Sequence, residues 1–200
     1  CKPGIVLEGG SIDVNGEGTL MTTEQCLLNT NRNPHLNKQQ IEQYLSDYLG
    51  VSNFIWLKSG ILGDDTDGHI DDLARFVDAK TIVCAYQDDK NDPEYKVLDD
   101  NYQILQRAFD QDGNPFRIVK LPMPHVKSDD GQQLPASYTN FYIGNEKVLV
   151  PVFDHPNDSA ALSILQSLFP TRKVVGIRCV DLVYGFGTIH CISQQQPCRG

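Results

Sequence analysis

Cys191 is the cysteine whose surroundings most resemble those of a nucleophile. It follows a Gly-x-Gly turn at 185–187 and is flanked by His190 and by the polar run 193–196. A nucleophilic thiol needs partial exposure, a lowered pKa and a charged partner, which apolar surroundings do not supply. Because adjacent side chains of a strand point to opposite faces, His190 is predicted to be a poor partner for Cys191. The competing interpretation is that Cys191 is simply a small buried residue.

His69 and Asp71 are the residues best suited to acid–base chemistry. In a strand, their i, i+2 spacing would place both side chains on one face, where they could address one ligand. They belong to the acidic segment 63–72, which also contains Asp65 and which is otherwise interpreted as a solvated loop. Glu8 precedes two glycines, which either let a ligand approach the backbone or form a turn. Together with a thiol, these groups predict nucleophilic chemistry on a cationic substrate.

A repeated pattern of elements would bring these segments together. Each repeat reads as a hairpin, an apolar strand, a polar loop, an amphipathic helix and a second apolar strand, with first strands starting at residues 18, 81 and 147. We predict helices at 38–49, 94–109 and 159–169, and strands at 18–23, 54–57, 81–86, 116–121, 147–153 and 173–180. In a radial repeat, equivalent positions converge on the central axis. The pattern therefore predicts an α/β fold of three modules, with a closing strand that the polar segment 185–191 opens.

Composition and charge exclude several classes of protein. Because 17 Lys and Arg face 26 Asp and Glu, for a net charge of −9, we expect no nucleic-acid partner. No apolar run approaches the ~20 residues of a membrane span, so we expect no membrane partner. The six cysteines include no Cys-x-x-Cys pair, which argues against zinc ribbons. Cys84 and Cys179 are predicted to fill the core, and a reducing, cytoplasmic location is expected.

Five ordered segments of the chain resemble the agmatine deiminase family of guanidino-group-modifying enzymes, which are related to the bacterial peptidylarginine deiminases. The segments are 7–11 (Leu-Glu-Gly-Gly-Ser), 31–34 (Asn-Arg-Asn-Pro), 64–71 (Asp-Asp-Thr-Asp-Gly-His-Ile-Asp), 137–141 (Ser-Tyr-Thr-Asn-Phe) and 189–197 (Ile-His-Cys-Ile-Ser-Gln-Gln-Gln-Pro). The resemblance implies a five-fold pseudosymmetric α/β propeller. It also implies that residues 1–200 are a single deiminase-like catalytic domain whose N-terminal modules are missing.

The same resemblance implies hydrolysis of agmatine to N-carbamoylputrescine and ammonia, a step toward putrescine in polyamine biosynthesis, without a metal or an organic cofactor. Cys191 would attack the guanidinium carbon to form a covalent thiouronium. His69 would protonate the departing ammonia and then activate water. Glu8 and Asp71 would act in catalysis by holding the guanidinium nitrogens. Asp65 would contact the far amine of agmatine.

Other substrates and functions stay open from the sequence. Peptidylarginine and free arginine share the guanidinium, although segment 63–72 has no Arg or Lys to bind a substrate carboxylate. Phe186 departs from the more Gly-rich turn of the family and would either narrow the site or pack against neighbours. A small cationic molecule is the expected partner, and a homo-oligomer is left open.

Two functions of other classes compete with the deiminase interpretation. His69 and Asp71 with a later histidine would satisfy the 2-His-1-carboxylate pattern of a non-haem iron oxygenase. The candidates for that histidine are His125, His155 and His190. The other alternative is an inactive fragment that binds cationic ligands.

Overall fold

Three modules of the same construction follow one another in the computed structural model, which describes residues 4–196. The first contains β1 (Asp13–Val14), β2 (Thr19–Thr23), the short helix α1 (Glu24–Leu27), α2 (Lys38–Leu49) and β3 (Asn53–Leu57). The second contains β4 (Ala74–Asp78), β5 (Thr81–Ala85), α3 (Tyr95–Gln106) and β6 (Arg117–Leu121). The third contains β7 (Tyr142–Ile143), β8 (Lys147–Val152), α4 (Asp158–Leu168) and β9 (Lys173–Arg178).

Each module forms its own three-stranded sheet, with the middle strand paired on both sides. The hairpin neighbour is antiparallel, whereas the strand after the helix is parallel, as in the Thr19–Asn53, Thr81–Arg117 and Lys147–Lys173 registers. A helix is the usual crossover between parallel neighbours, which explains the strand–helix–strand order. The predicted repeat and the mixed α/β class are confirmed. Among residues 4–196, none of the sheets closes on itself.

The helices follow the predicted pattern, with small differences at their ends. In α2, the side chain of Asn37 accepts from Gln40 N while the Gln40 side chain accepts from Asn37 N, so the first turn carries a capping box. The helix ends at Gly50, whose φ of 69° is left-handed. Helix α3 stops at Gln106 rather than at 109, because Phe109 forms a bridge with Pro115. No helix within 4–196 has the length and apolar character to cross a bilayer.

Neighbouring modules share their apolar cores, which fixes the modules against one another. Met21 and Leu57 of the first module pack in one cluster with Ile82 of the second. Val83, from the opposite face of the same second-module strand, packs instead with Val150 of the third. Alternation along β5 therefore sends successive side chains into two different cores. The loops between modules are held in place by these shared cores.

Two segments that were predicted as strands have other structures. Ile70–Asp72 form a 3-10 helix, so the argument that placed His69 and Asp71 on one face of a strand was wrong. The closing strand is also wrong, because Leu182–Gly185 form a 3-10 helix and residues 186–196 contain turns without a strand. His190 N donates to both Asn140 O and Asn140 Oδ1, at 3.1 and 3.0 Å. Asn140 thus satisfies the backbone N–H of His190, which a strand would have paired in a ladder.

Candidate active site

An open cavity of about 580 Å³ lies where the inter-module segments meet. Its walls include Gly9 and Gly10, Asp13 of β1, and the turn with His190 and Cys191. Ligand cavities in proteins commonly measure roughly 300–1,000 Å³. The three separate segments that carry the sequence-predicted groups therefore meet at or beside one cavity of suitable size for a small ligand.

Cys191 is the exposed cysteine of this cavity, and its sulfur faces inward against polar side chains. Asn140 Nδ2 lies 3.1 Å from Sγ, and the nearer oxygen of Asp71 lies 3.7 Å from it. Loss of hydration, together with the charges of Asp71 and Asp72, raises the pKa of the thiol to about 12. A nucleophilic thiol is expected to have a lowered pKa, but in the chain without a ligand the pKa of Cys191 is raised. Gly187 makes room for this arrangement, since a Cβ there would lie 2.9 Å from Cys191 Cβ.

Asp71 is the carboxylate at the centre of the site and is 1 % exposed. Its Oδ2 lies 2.7 Å from His190 Nδ1, while its buried Oδ1 has no hydrogen-bond partner within residues 4–196. A Cβ on Gly10 would lie 2.6 Å from His69 Nδ1 and 2.9 Å from Asp71 Oδ2. Only glycine allows the backbone so close an approach, so Gly10 lies directly against both members of the predicted pair, His69 and Asp71. His190 sits in a turn rather than in a strand, and its imidazole bonds to Asp71. The strand argument does not hold, but among the described residues no contact of the His190 imidazole with the sulfur contradicts the prediction that it is a poor partner for Cys191.

Asn140 connects the groups of the site, a role that sequence reasoning missed. The residue is fully buried. Its Nδ2 lies 3.2 Å from Asp71, 3.0 Å from Asp72 and 3.1 Å from Cys191 Sγ. Its Oδ1 accepts from Thr188 Oγ1 at 2.7 Å. We call Asp71, Asp72, Asn140 and Cys191 the Asp71 cluster. The motif 137–141, quoted for the resemblance, was the signal that could have identified Asn140.

Glu8 binds a guanidinium, but it is the guanidinium of Arg32. Arg32 Nε and Nη2 donate to the two oxygens of Glu8 at 2.6 and 2.9 Å, and Nη1 donates to Asp67 at 2.9 Å. These bonds lower the pKa of Glu8, although partial burial opposes them. His69 Nε2 lies 3.6 Å from Glu8 Oε1 and is buried without a hydrogen-bond partner within the described residues. Arg32 had no predicted role, although the motif at 31–34 that contains it was an available signal.

Asp65 is not brought together with the other predicted groups. It is exposed and does not line the cavity. Its neighbour Asp64 instead holds the acidic loop, accepting from Thr66 N at 2.8 Å and from Gly68 N at 2.6 Å. Part of the acidic segment is therefore a structured turn whose carboxylate caps its own backbone.

The potential metal ligands of this region do not form the triad of an iron oxygenase. Among residues 4–196, three groups of residues have ligand atoms close enough together to share an ion. They are Glu8 with Cys26 and His69, Asp71 with Asp72 and Cys191, and Asp92 with Glu94 and His125. None of these groups joins His69 and Asp71 to a second histidine. The geometry of the described chain therefore gives the oxygenase interpretation no support.

Comparison with known proteins assigns the family. Residues 1–197 match the family model of the Porphyromonas-type peptidyl-arginine deiminases. An agmatine deiminase of Pseudomonas fluorescens is 45 % identical over 215 aligned residues, which cover 98 % of this chain and 58 % of that protein. The structure of an agmatine deiminase of Enterococcus faecalis superposes with a TM-score of 0.91 at 42 % identity, covering 97 % of this chain and 58 % of its own.

A substrate-bound structure is also similar. It is an agmatine deiminase of C. jejuni with a cysteine-to-serine substitution, with a TM-score of 0.87 and 38 % identity, covering 94 % of this chain and 55 % of its own. The present chain thus spans a little over half the length of these relatives. The match covers nearly all of its own residues and every segment of the site. The chain belongs to the family of Porphyromonas-type peptidyl-arginine deiminases.

Proposed function

We propose that this chain carries the nucleophile and acid–base groups of an agmatine deiminase, which hydrolyses agmatine to N-carbamoylputrescine and ammonia. The observation that carries the proposal is the 3.7 Å approach of Cys191 Sγ, which lines the cavity, to the buried carboxylate of Asp71 behind it. Relatives of this family bear the name agmatine deiminase, and one of them holds substrate in its cysteine-to-serine form. A thiol beside buried carboxylates suits a cationic substrate with an electrophilic carbon.

Substrate binding itself would activate the thiol. Without a cation, the carboxylates of Asp71 and Asp72 contribute to raising the pKa of Cys191 to about 12, so the thiol is protonated near neutral pH. A guanidinium bound against these carboxylates would balance their charge and add a positive neighbour to the sulfur. Both effects favour the thiolate and lower the thiol pKa. The nucleophile would therefore form only when the cation it attacks is in place.

The chemical steps then need one proton donor and one water. The thiolate of Cys191 adds to the guanidinium carbon, and His69 donates a proton as ammonia leaves, which leaves a covalent thiouronium. His69 next takes a proton from the attacking water, and the carbon–sulfur bond breaks to release the ureido product. Asp71 would hold the guanidinium nitrogens throughout, using the buried oxygen that has no partner within residues 4–196. Positioned charges of this kind stabilise the developing transition state.

Glu8 would contribute in spite of its pairing with Arg32. Each carboxylate oxygen has a second lone pair, so a substrate nitrogen can still be accepted beside Arg32. The 3.6 Å separation from His69 Nε2 supports a further role in orienting the imidazole. The proposed contact of Asp65 with the far amine of agmatine is supported by its exposed negative charge alone.

We further propose that the three modules are part of a pseudosymmetric five-fold α/β propeller and that residues 1–200 work as one catalytic domain. The shared cores between successive modules support a radial arrangement. A cytoplasmic location is part of the same proposal. It is supported by the free thiols of Cys26, Cys84, Cys179 and Cys191, of which the first three are buried.

The test is a product assay on the purified protein that contains this chain. Agmatine, free arginine and an arginine peptide are each incubated with it, and both ammonia and the ureido product are measured. We expect turnover of agmatine above the other two, and we expect Cys191→Ala to abolish it while leaving the circular dichroism spectrum unchanged. Near-normal turnover by Cys191→Ala would refute the nucleophile. Preference for free arginine or for the arginine peptide would refute agmatine as the substrate, but it would leave the assignment of the nucleophile intact.

A further inference from the structure

A second group of potential metal ligands lies outside the candidate active site. Asp92 and Glu94 stand just before α3, and His125 lies in the loop after β6. One ligand atom from each lies within 4.8 Å of the others. None of these side chains lines the active-site cavity. The deimination proposed above therefore leaves this group, which we call the His125 cluster, without a role.

Glu94 presents a buried carboxylate oxygen with no hydrogen-bond partner among the described residues. Its side chain is 2 % exposed, and its Oε1 accepts from Leu62 N at 3.0 Å. The other oxygen, Oε2, has only His125 Nδ1 nearby, at 3.6 Å. That distance exceeds the roughly 2.7–3.2 Å of an N–H···O hydrogen bond. A buried carboxylate oxygen that is left unsatisfied is unfavourable, so its position indicates a ligand that it would bind.

Asp92 completes the arrangement from the other side of the imidazole. Its Oδ1 accepts from Glu94 N at 2.8 Å, which orients the carboxylate. Its Oδ2 lies 3.7 Å from His125 Nε2, again beyond hydrogen-bonding distance. Two carboxylate oxygens therefore face one imidazole without bonding to it. The side chains of Asp92 and His125 are partly exposed, so the cluster is open to solvent.

The backbone of His125 is held in an unusual conformation. Its φ is 45°, in the left-handed region that side chains other than glycine seldom adopt. Strain of this kind concentrates at ligand-binding positions. The side-chain amide of Gln87 contacts His125 Nε2. A metal-bound imidazole commonly donates its second N–H to such a neighbour, and a half-turn of the Gln87 amide would present its oxygen.

We propose that Asp92, Glu94 and His125 bind one divalent transition-metal ion of the class of Zn²⁺ and Co²⁺. Ligands at about 2.0–2.1 Å around a tetrahedral ion lie about 3.3 Å apart. With Gln87 in contact with Nε2, the ion would bind His125 Nδ1, from which Glu94 Oε2 lies 3.6 Å. The carboxylate of Asp92, which lies beside Nε2, would turn toward the ion within a group whose ligand atoms lie within 4.8 Å of one another. A neutral imidazole with two carboxylates balances the charge of the ion and favours these metals over Ca²⁺.

The ion would stabilise the chain without taking part in the reaction. Glu94 Oε1 anchors Leu62, which immediately precedes the loop leading to His69. The ion would join the segment before α3 to the loop after β6, and Glu94 would connect it to Leu62. These elements are distant from one another in sequence. A ligand that binds the folded state alone raises the midpoint of thermal unfolding.

The experiment titrates Co²⁺ into the chelator-treated protein that contains this chain. We expect weak visible absorption typical of nitrogen and oxygen ligands, without the intense near-ultraviolet bands of thiolate ligation, and a higher unfolding midpoint. Glycine suits the positive φ at position 125, so His125→Gly should fold. Because this variant lacks the imidazole, its affinity for Co²⁺ should be lower by about 10–100-fold or more. Glu94→Gln, which keeps an acceptor for Leu62 N, provides a second variant with the same expected loss.

The matched control is His155→Ala. His155 is near enough to His125 for their charges to interact, but it is not one of the cluster's ligands. We expect this variant to bind Co²⁺ as the unmodified protein does. The proposal is overturned if the unmodified protein shows no Co²⁺ absorption and no thermal shift. It is also overturned if His125→Gly and Glu94→Gln keep the unmodified affinity, because Co²⁺ would then be bound elsewhere.

Discussion

The two carboxylate groups of the candidate active site differ in how their charge is balanced. Glu8 is half-exposed, and both of its oxygens are bonded to the guanidinium of Arg32. The Asp71 cluster contains two buried carboxylates, to which Asn140 of the cluster and the neighbouring His190 are bonded. Glu8 is paired with an arginine of the chain, whereas no lysine or arginine among the described residues forms an ion pair with Asp71 or Asp72. Burial and the neighbouring Asp71 raise the pKa of Asp72 well above its ordinary value, which shows that the charge there is not balanced. The difference indicates that the Asp71 cluster is where a substrate cation would bind most strongly.

The same comparison explains why the thiol pKa is raised. Burial of the Cys191 sulfur raises the thiol pKa most, and the carboxylates of Asp71 and Asp72 raise it further, so a thiolate is unfavourable until a cation arrives. Arg32 bonds to Glu8 and Asp67, at the other group. A binding site that keeps its nucleophile protonated until the substrate is present protects it from other electrophiles.

Asp71→Asn should have the largest effect after removal of the nucleophile. Loss of its charge should lower turnover by about 10²–10³-fold, as is typical when one preorganised electrostatic contact is removed. It should also bring the pKa of Cys191 below its value of about 12, because one of the two carboxylates beside the sulfur is neutralised. Ultraviolet absorbance of the thiolate, titrated without substrate, measures the second effect.

The control for that titration is Asp129→Asn, which removes the same charge at an exposed position. It should leave both the thiol titration and turnover unchanged. If Asp71→Asn also leaves the thiol titration unchanged, the charge of Asp71 does not govern the sulfur. The contrast between the two carboxylate groups would then be incorrect.

Glu8→Gln should have an intermediate effect, mainly on stability. Because Glu8 is 38 % exposed at its side chain, its bonds to Arg32 should contribute at most about 1 kcal/mol. Arg32 lowers the pKa of Glu8 below its ordinary value of 4.5, so this contribution is complete above pH 4.5 and is lost as the pH falls through the folded-state pKa. Urea unfolding at several pH values should show the two proteins converging in acid.

Glu17→Gln is the matched control for this measurement, since Glu17 is an exposed glutamate. Its unfolding free energy should follow that of the unmodified protein at every pH. A difference between Glu8→Gln and the unmodified protein that does not change with pH would contradict an ionised, Arg32-bound Glu8.

Asp65→Asn should have the smallest effect. Its exposed charge acts through solvent, so we expect KM for agmatine to rise about two- to fivefold, with kcat unchanged, and the effect to shrink at high salt. Steady-state kinetics at two ionic strengths provide the measurement. A large fall in kcat would instead place Asp65 against the reacting groups, and an unchanged KM would remove it from substrate binding.

Local patterns were sufficient to predict most of the elements. The apolar stripe and the Asn37–Gln40 cap predicted α2, and the spacing of first strands at 18, 81 and 147 predicted three equivalent sheets. The prediction failed at Ile70–Asp72, where alternation was assumed to mean a strand. Alternation over three residues is too short to exclude a helical turn, and the contacts of Asp71 and Asp72 with Asn140 determine the outcome there.

The modules and the motifs of the site follow from the sequence, because each of these depends on residues close together in the chain. The exposure of Cys191 and the meeting of the motifs at one cavity depend on the tertiary fold. So do the binding of Glu8 by Arg32, the contact of His190 with Asp71 and the bonds by which Asn140 connects the cluster. These contacts join residues separated by 24, 119 and up to 69 positions. The raised pKa of Cys191 has the same origin, since hydration and nearby charge depend on three-dimensional distances that no local pattern encodes.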